Sequence, residues 1–209
     1  MRWFTADNHF NHNKIIYLAD RNFDNINQMN EHLIDQINKH VERTDELYVL
    51  GDFCFQDPNP FLGRLKCKQR FLIRGNHDPA KVHKSKFTWV KDTCQLRFHE
   101  SKLWLSHYPH CFWPSSHYRT YHIYGHHHNR MEDYLDSMWP ERRSMDVGVD
   151  NAFRIFGEYR PFSEYDILNL LSTRKGHHRI GTEKNELVED SEVRDLSGPH
   201  PDFRKLGRT

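Results

Sequence analysis

The chain has 209 residues, 36% hydrophobic and 28% charged, which is enough to bury a core and excludes a fibrous or wholly disordered protein. No apolar run approaches the ~20 residues that cross a bilayer, and the opening Met1 to Asp7 turns polar too soon for a secretory leader, so a cytoplasmic protein without membrane contact is expected. With 30 Lys+Arg against 29 Asp+Glu, the chain lacks the overall basic footprint of a generic nucleic-acid binder.

Taken in chain order, Arg2 to Thr5 reads as a strand that hands Asp7 and His9 to the loop behind it. Ile26, Met29, Leu33, Ile37 and Val41 recur at spacings of three and four, which predicts an amphipathic helix with one solvated face. Leu47 to Leu50 and Phe71 to Ile73 predict two further strands, the first stopping at Gly51-Asp52 and the second at Arg74-Gly75-Asn76-His77-Asp78. Gln95 to Phe98 and Leu103 to Ser106 predict paired strands around a turn at Glu100-Ser101-Lys102, with His107 directly after. His122 to Tyr124 repeats the plan and ends at Gly125-His126-His127-His128. Met145 to Val149 predicts another strand, and Ser163-Glu164-Tyr165-Asp166 predicts a capping box opening a helix through Leu171. Strands interleave with helices, so the class is α/β. Beyond residue 171 hydrophobic residues thin out, which predicts a main domain over residues 1–171 and a polar appendage, docked or flexible, over 172–209.

Histidine is the compositional outlier, with 17 residues, and imidazole is both the commonest metal ligand and the usual proton carrier near neutral pH. The predicted strand ends collect Asp7-x-His9, Gly51-Asp52, Gly75-Asn76-His77-Asp78, His107 and Gly125-His126-x-His128, all oxygen or imidazole donors. Such donors suit borderline divalent ions, and the absence of cysteine from these motifs argues against a structural thiolate zinc site. The four cysteines form no C-x-x-C pair and read as buried or half-buried free thiols. In extended backbone, residues two apart project to one side, so Asp7 would align with His9 and His126 with His128, leaving His127 to point elsewhere.

This ordered set resembles the calcineurin-like metallophosphoesterase superfamily, whose motifs run D-x-H, G-D, G-N-H-[DE], H and G-H-x-H. The stretches Phe4 to His12, Val49 to Phe53 and Val147-Gly148-Val149-Asp150 look like a small single-domain bacterial and phage-type branch, over roughly residues 1–171. The resemblance implies two packed mixed β-sheets flanked by helices in four layers. It also implies a pair of divalent ions, manganese first with iron, zinc or nickel as alternatives. Asp7, His9, Asp52 and His128 would surround one ion, and Asp52, Asn76, His107 and His126 the other, with Asp52 bridging. Two such cations clamp phosphate oxygens and lower the pKa of a shared water. His77 would then protonate the leaving oxygen, with Asp78 holding it in register.

For each residue taken alone the bland reading is a surface, turn-forming or packing role, and only the ordered set outweighs it. His12, Trp113, Tyr118 and Arg119 are candidate substrate contacts from the aromatic connection after His107 and the first loop, with ordinary packing as the competing reading. The expected activity is hydrolysis of a phosphoester by a phosphodiesterase or phosphatase, on a small phosphodiester or nucleotide-like substrate. A nuclease is the enzymatic alternative and a non-catalytic binding scaffold of the same fold the other, and oligomeric state is left open.

Overall fold

The computed structural model describes residues 1–176. In chain order the elements are β1 (Arg2–Thr5), α1 (Ile15–Leu18), α2 (Ile26–His40), β2 (Glu46–Val49), α3 (Asn59–Leu62), β3 (Gln69–Ile73), β4 (Trp89–Lys91), β5 (Thr93–Phe98), β6 (Ser101–Ser106), β7 (Tyr121–Tyr124), α4 (Glu132–Met138), β8 (Ser144–Asp146), α5 (Val149–Phe156), β9 (Phe162–Ser163) and α6 (Glu164–Leu171). They build two mixed sheets flanked by helices. One has five strands in the order β4-β3-β2-β1-β9, the other four in the order β5-β6-β7-β8. Neighbours in the first are parallel except β1 with β9, and in the second only β5 with β6 is antiparallel.

Side-chain alternation along the strands divides the core in two. Leu47, Val49 and Leu72 face the buried side of α2, where Met29, Leu33 and Ile37 lie. Tyr48, Leu50, Phe71 and Ile73 face the other way and pack with Leu103, Leu105 and Ile123 of the second sheet. The outer face of that second sheet carries His122 and Tyr124, covered by Trp113 and by Glu132 of α4. Helix, sheet, sheet and helix thus stack in the expected four layers.

The local signals act as physics predicts. Asn25 opens α2 by accepting from the Gln28 N–H at 3.0 Å. Ser163 and Asp166 form a reciprocal capping box at the start of α6. Two expectations shift. The hairpin between β5 and β6 turns one residue earlier, at His99-Glu100, because Phe98 pairs with Ser101 and His99 adopts the left-handed φ of 50°. The strand expected over Met145 to Val149 stops at Asp146, whose carboxylate takes the Gly148 N–H at 2.5 Å and whose carbonyl takes the Asn151 amide at 2.6 Å. Those bonds turn the chain into α5, so Val147 and Val149 are buried from a turn and a helix start rather than from a ladder. Beyond residue 171, Arg174 pairs with Asp136 and the Gly176 N–H bonds to the Glu141 carbonyl at 2.8 Å. The remainder of the expected appendage, 177–209, lies outside the described residues.

Candidate metal centre

Six parallel strands point their carboxyl ends at one edge, where β1 delivers Asp7 and His9, β2 Asp52, β3 Asn76 and His77, β6 His107, β7 His126 and His128, and β8 Asp150. The first two loops zip together, with the Asp7 N–H on the Gly51 carbonyl at 3.0 Å and the His9 N–H on the Asp52 carbonyl at 2.9 Å. Asp7, His9, Asp52, His126 and His128 adopt φ of 56°, 53°, 53°, 77° and 49°. The extended backbone expected for the D-x-H and H-x-H pairs is therefore corrected. Left-handed residues stand two apart at Asp7 and His9 and at His126 and His128, and side by side at Gly51-Asp52 and His128-Asn129; each such non-glycine residue costs on the order of 1–3 kcal/mol. Loops this strained persist because the surrounding bonds over-determine them.

Glycines allow the convergence. A Cβ on Gly51 would lie 2.2 Å from His107 Nδ1, and one on Gly75 would lie 2.2 Å from Asp52 Oδ1.

Two groups of donor atoms lie within 4.8 Å of one another, Asp7-His9-His128 and Asp7-Asp52-His107. Asp52 Oδ2 is 3.6 Å from His9 Nε2 and 3.5 Å from His107 Nε2, so one carboxylate oxygen stands between the two imidazoles. Asn76 Oδ1 is 3.0 Å from His107 Nε2, and the His126 ring lies 5.1 Å from that of His107. His77 stands exposed at the mouth, its ring 5.4 Å from His9 and its backbone N–H on Asp52 Oδ1 at 2.8 Å.

Burial dominates the electrostatics. It pushes the Asp7 carboxyl up to about 6 against the pull of His128 and His107, and lowers His9 to about 2 and His126 to about 4. At Asp52 and His107 burial is outweighed by their mutual hydrogen bond and by neighbouring charge, from His107 and His9 on Asp52 and from Asp7 and Asp52 on His107, which takes Asp52 down to about 2 and His107 up to about 9.

Buried and half-buried carboxylates brace the loops. Asp78 accepts from the N–H groups of Asp52, Phe53 and Gly75 at 2.9, 2.9 and 2.8 Å, which clamps the second loop to the third. Its oxygens are spent on backbone, so the expected contact with the His77 ring is replaced by a structural clamp. Asp146 does the same for Gly148 and Asn129 on the far side. Asp150 accepts from His128 Nδ1 at 2.7 Å and from both arms of Arg21, whose second nitrogen also reaches the Asp7 carbonyl at 2.6 Å. The bond from His128 Nδ1 to Asp150, and the one from His107 Nδ1 to the Leu50 carbonyl at 2.8 Å, turn both Nε2 atoms inward.

Sequence reasoning missed Asp150 and Arg21 as functional residues. Asp150 had the same signal as the others, an acid just past a strand-ending glycine, whereas Arg21 had none.

The expected substrate contacts separate. His12 stays with the cluster, its Nδ1 3.3 Å from that of His9 and its ring stacked on Phe55 at 4.7 Å. Trp113 does not, because it is buried against His122 with its indole N–H on the Thr120 carbonyl at 3.1 Å. Tyr118 and Arg119 line a cavity at the amino ends of β6 and β7, the opposite edge of the sheet. His127 turns away to line a separate pocket with Tyr124 and Met131.

The donor set fits divalent ions on an independent ground. Asp7 Oδ1 and His9 Nε2 are buried and have no hydrogen-bond partner among the described residues, and buried polar atoms left so need a reason. Both belong to the first donor group and lack only an acceptor of their lone pairs.

The model of the calcineurin-like phosphoesterase family matches residues 2–197. The uncharacterized protein MJ1445 of Methanocaldococcus jannaschii is 29% identical over 177 residues, covering 83% of this chain and 92% of its own. A protein of unknown function from Aquifex aeolicus, AQ665, superimposes with a TM-score of 0.65 at 25% identity, covering 81% of this chain and 98% of its own. YfcE, a phosphoesterase from E. coli, aligns at a TM-score of 0.40 and 19% identity over 61% of this chain and 69% of its own.

Proposed function

The chain belongs to the calcineurin-like phosphoesterase family and is a hydrolase of phosphoester bonds, and on that footing we propose that it cleaves a small phosphodiester or nucleotide-like substrate at a two-ion centre. The observation that carries this reading is Asp52 Oδ2 standing 3.6 and 3.5 Å from His9 Nε2 and His107 Nε2, with the buried Asp7 Oδ1 and His9 Nε2 accepting or donating no hydrogen bond among the described residues. In this reading Asp7, His9, Asp52 and His128 hold one ion, Asp52, Asn76, His107 and His126 hold the second, and manganese is the expected metal. Bound divalent ions supply Lewis acidity toward phosphoryl oxygens and lower the pKa of water.

The protein's own groups do the rest. Leu50 and Asp150 hold His107 and His128 in the tautomer whose Nε2 can ligate. Asp78 and Asp146 keep the loops closed, so the site is preorganised. His77, exposed beside His9 and not among the donor groups, is placed to give a proton to the departing oxygen. A nuclease would need a cationic track leading to this edge, which balanced composition disfavours.

The test is an activity screen of chelator-washed protein resupplied with Mn, Fe, Zn or Ni, on phosphomonoesters, an activated aryl diester, cyclic and linear nucleotide diesters and short DNA or RNA. Turnover of the small diesters is expected, with His77→Ala keeping metal and losing most of its rate on poor leaving groups. Full metal occupancy without any turnover would instead make the protein a scaffold, and cleavage confined to polynucleotides would make it a nuclease.

A further inference from the structure

A cavity of about 1050 Å³ opens at the amino ends of β6, β7 and β8, beside Ser172 after α6. β6 alone separates it from His107 by six residues, about 20 Å at the rise of a strand. Its lining gathers Arg97, Lys102, Arg119 and Arg143 against a single carboxylate, Glu100.

Most arginines elsewhere have an acid: Arg2, Arg21, Arg64, Arg74, Arg142, Arg154, Arg160 and Arg174 each pair with one, whereas among the described residues Arg43, Arg70 and Arg130 have no acid partner, the buried Arg70 donating to the Leu62 and Lys86 carbonyls far from any open chamber of cations. Among the described residues no carboxylate pairs with the four cations of the cavity, Glu100 included. Arg143 is the telling case because it is buried. Its Nε donates to the Arg174 carbonyl at 2.6 Å, its Nη1 to the Arg119 carbonyl at 3.4 Å, and its guanidinium lies over the Tyr121 ring at 5.3 Å. All of those partners are neutral, whereas a buried charge ordinarily has a counter-charge. The fold therefore holds a fixed cation at the wall of an open chamber, with three exposed cations around it.

We propose that this cavity is a second binding site, remote from the metal ligands, for a multiply charged phosphate compound of the size of a nucleoside diphosphate. One carboxylate would neutralise a single cation, while a diphosphate matches several, and guanidinium groups grip phosphate oxygens through paired N–H donors. The volume exceeds what inorganic phosphate alone would fill.

The experiment titrates inorganic pyrophosphate and, separately, ADP into full-length protein stripped of metal, followed by calorimetry at low and high salt. Saturable binding is expected for at least one compound, weakened tenfold or more by Lys102→Glu with Arg119→Glu, both at exposed positions, and by salt. Arg143→Met should weaken it as far, with circular dichroism checking that it folds. Failure of both compounds to bind, or binding unchanged in the charge-reversed protein, would overturn the proposal. Because no metal is present, either result stands apart from the outcome of the activity screen.

Discussion

Replacing Asp150 by Asn tests the support beneath the candidate centre. The wild-type carboxylate is 2.8 Å from Arg21 Nε, 2.9 Å from Arg21 Nη2 and 2.7 Å from His128 Nδ1. The Arg21 side chain is 0% exposed and Asp150 8%, so solvent screens this pair little. An asparagine oxygen still accepts one bond but supplies no charge, and its amide faces a donor. Removing one partner of a buried pair costs about 3–5 kcal/mol. Loss of the carboxylate behind a ligating histidine costs about 10–100-fold in metal affinity or activity. Urea unfolding of the metal-free protein reads the first effect and calorimetric titration of Mn reads the second. Arg21→Met in the Asp150→Asn background should recover part of the stability, since the orphaned guanidinium is then gone. Stability within ~0.5 kcal/mol of the parent, the scatter of an ordinary surface change, together with unchanged metal binding, would refute the reasoning.

Four other outcomes follow from the geometry. Asp52→Asn should weaken binding of both ions together, read as a loss of both steps in a metal titration, and full occupancy of both would refute the bridging role. Gly51→Ala should disrupt the centre, because the added methyl meets His107 Nδ1 at 2.2 Å and the φ of 92° strains any side chain; a thermal melt and a metal titration would both register it. Asn25→Ala removes the cap of α2 and should cost about 1 kcal/mol in urea unfolding, with metal binding intact. Burial lowers His122 from 6.5 to about 3, and its two nitrogens bond the Trp104 carbonyl and the His110 N–H in the neutral form. The unfolded chain therefore takes up the proton first, so stability is full above pH 6.5 and falls toward pH 3, by up to ~1.4 kcal/mol per pH unit for this one group. His122→Gln should flatten that slope in urea unfolding measured across the pH range.

Local chemistry carried much of the fold into the sequence. The spacing of Met29, Leu33 and Ile37 marked α2, the Ser163 to Asp166 box marked α6, and strand-ending glycines with acids marked the loops that meet at one edge. These signals are legible because they depend on neighbours a few residues away. The same holds for the donor list, since Asp7, His9, Asp52, His107 and His128 each sit just past a strand that the pattern reveals.

What only the tertiary structure decided concerns partners distant in the chain. Asp78 spends its oxygens on the Asp52 loop, and Arg21 crosses 129 positions to reach Asp150; neither pairing has a local signature. The left-handed backbone of the loops that carry the donor groups is likewise set by bonds between loops. Trp113, Tyr118 and Arg119 follow the candidate ligand His107 in sequence yet end at the outer face and the far edge of the second sheet, because a strand carries its two ends to opposite sides of the molecule. Sequence determines which side chains arrive together at a strand end, and packing between sheets determines which strand ends share a site.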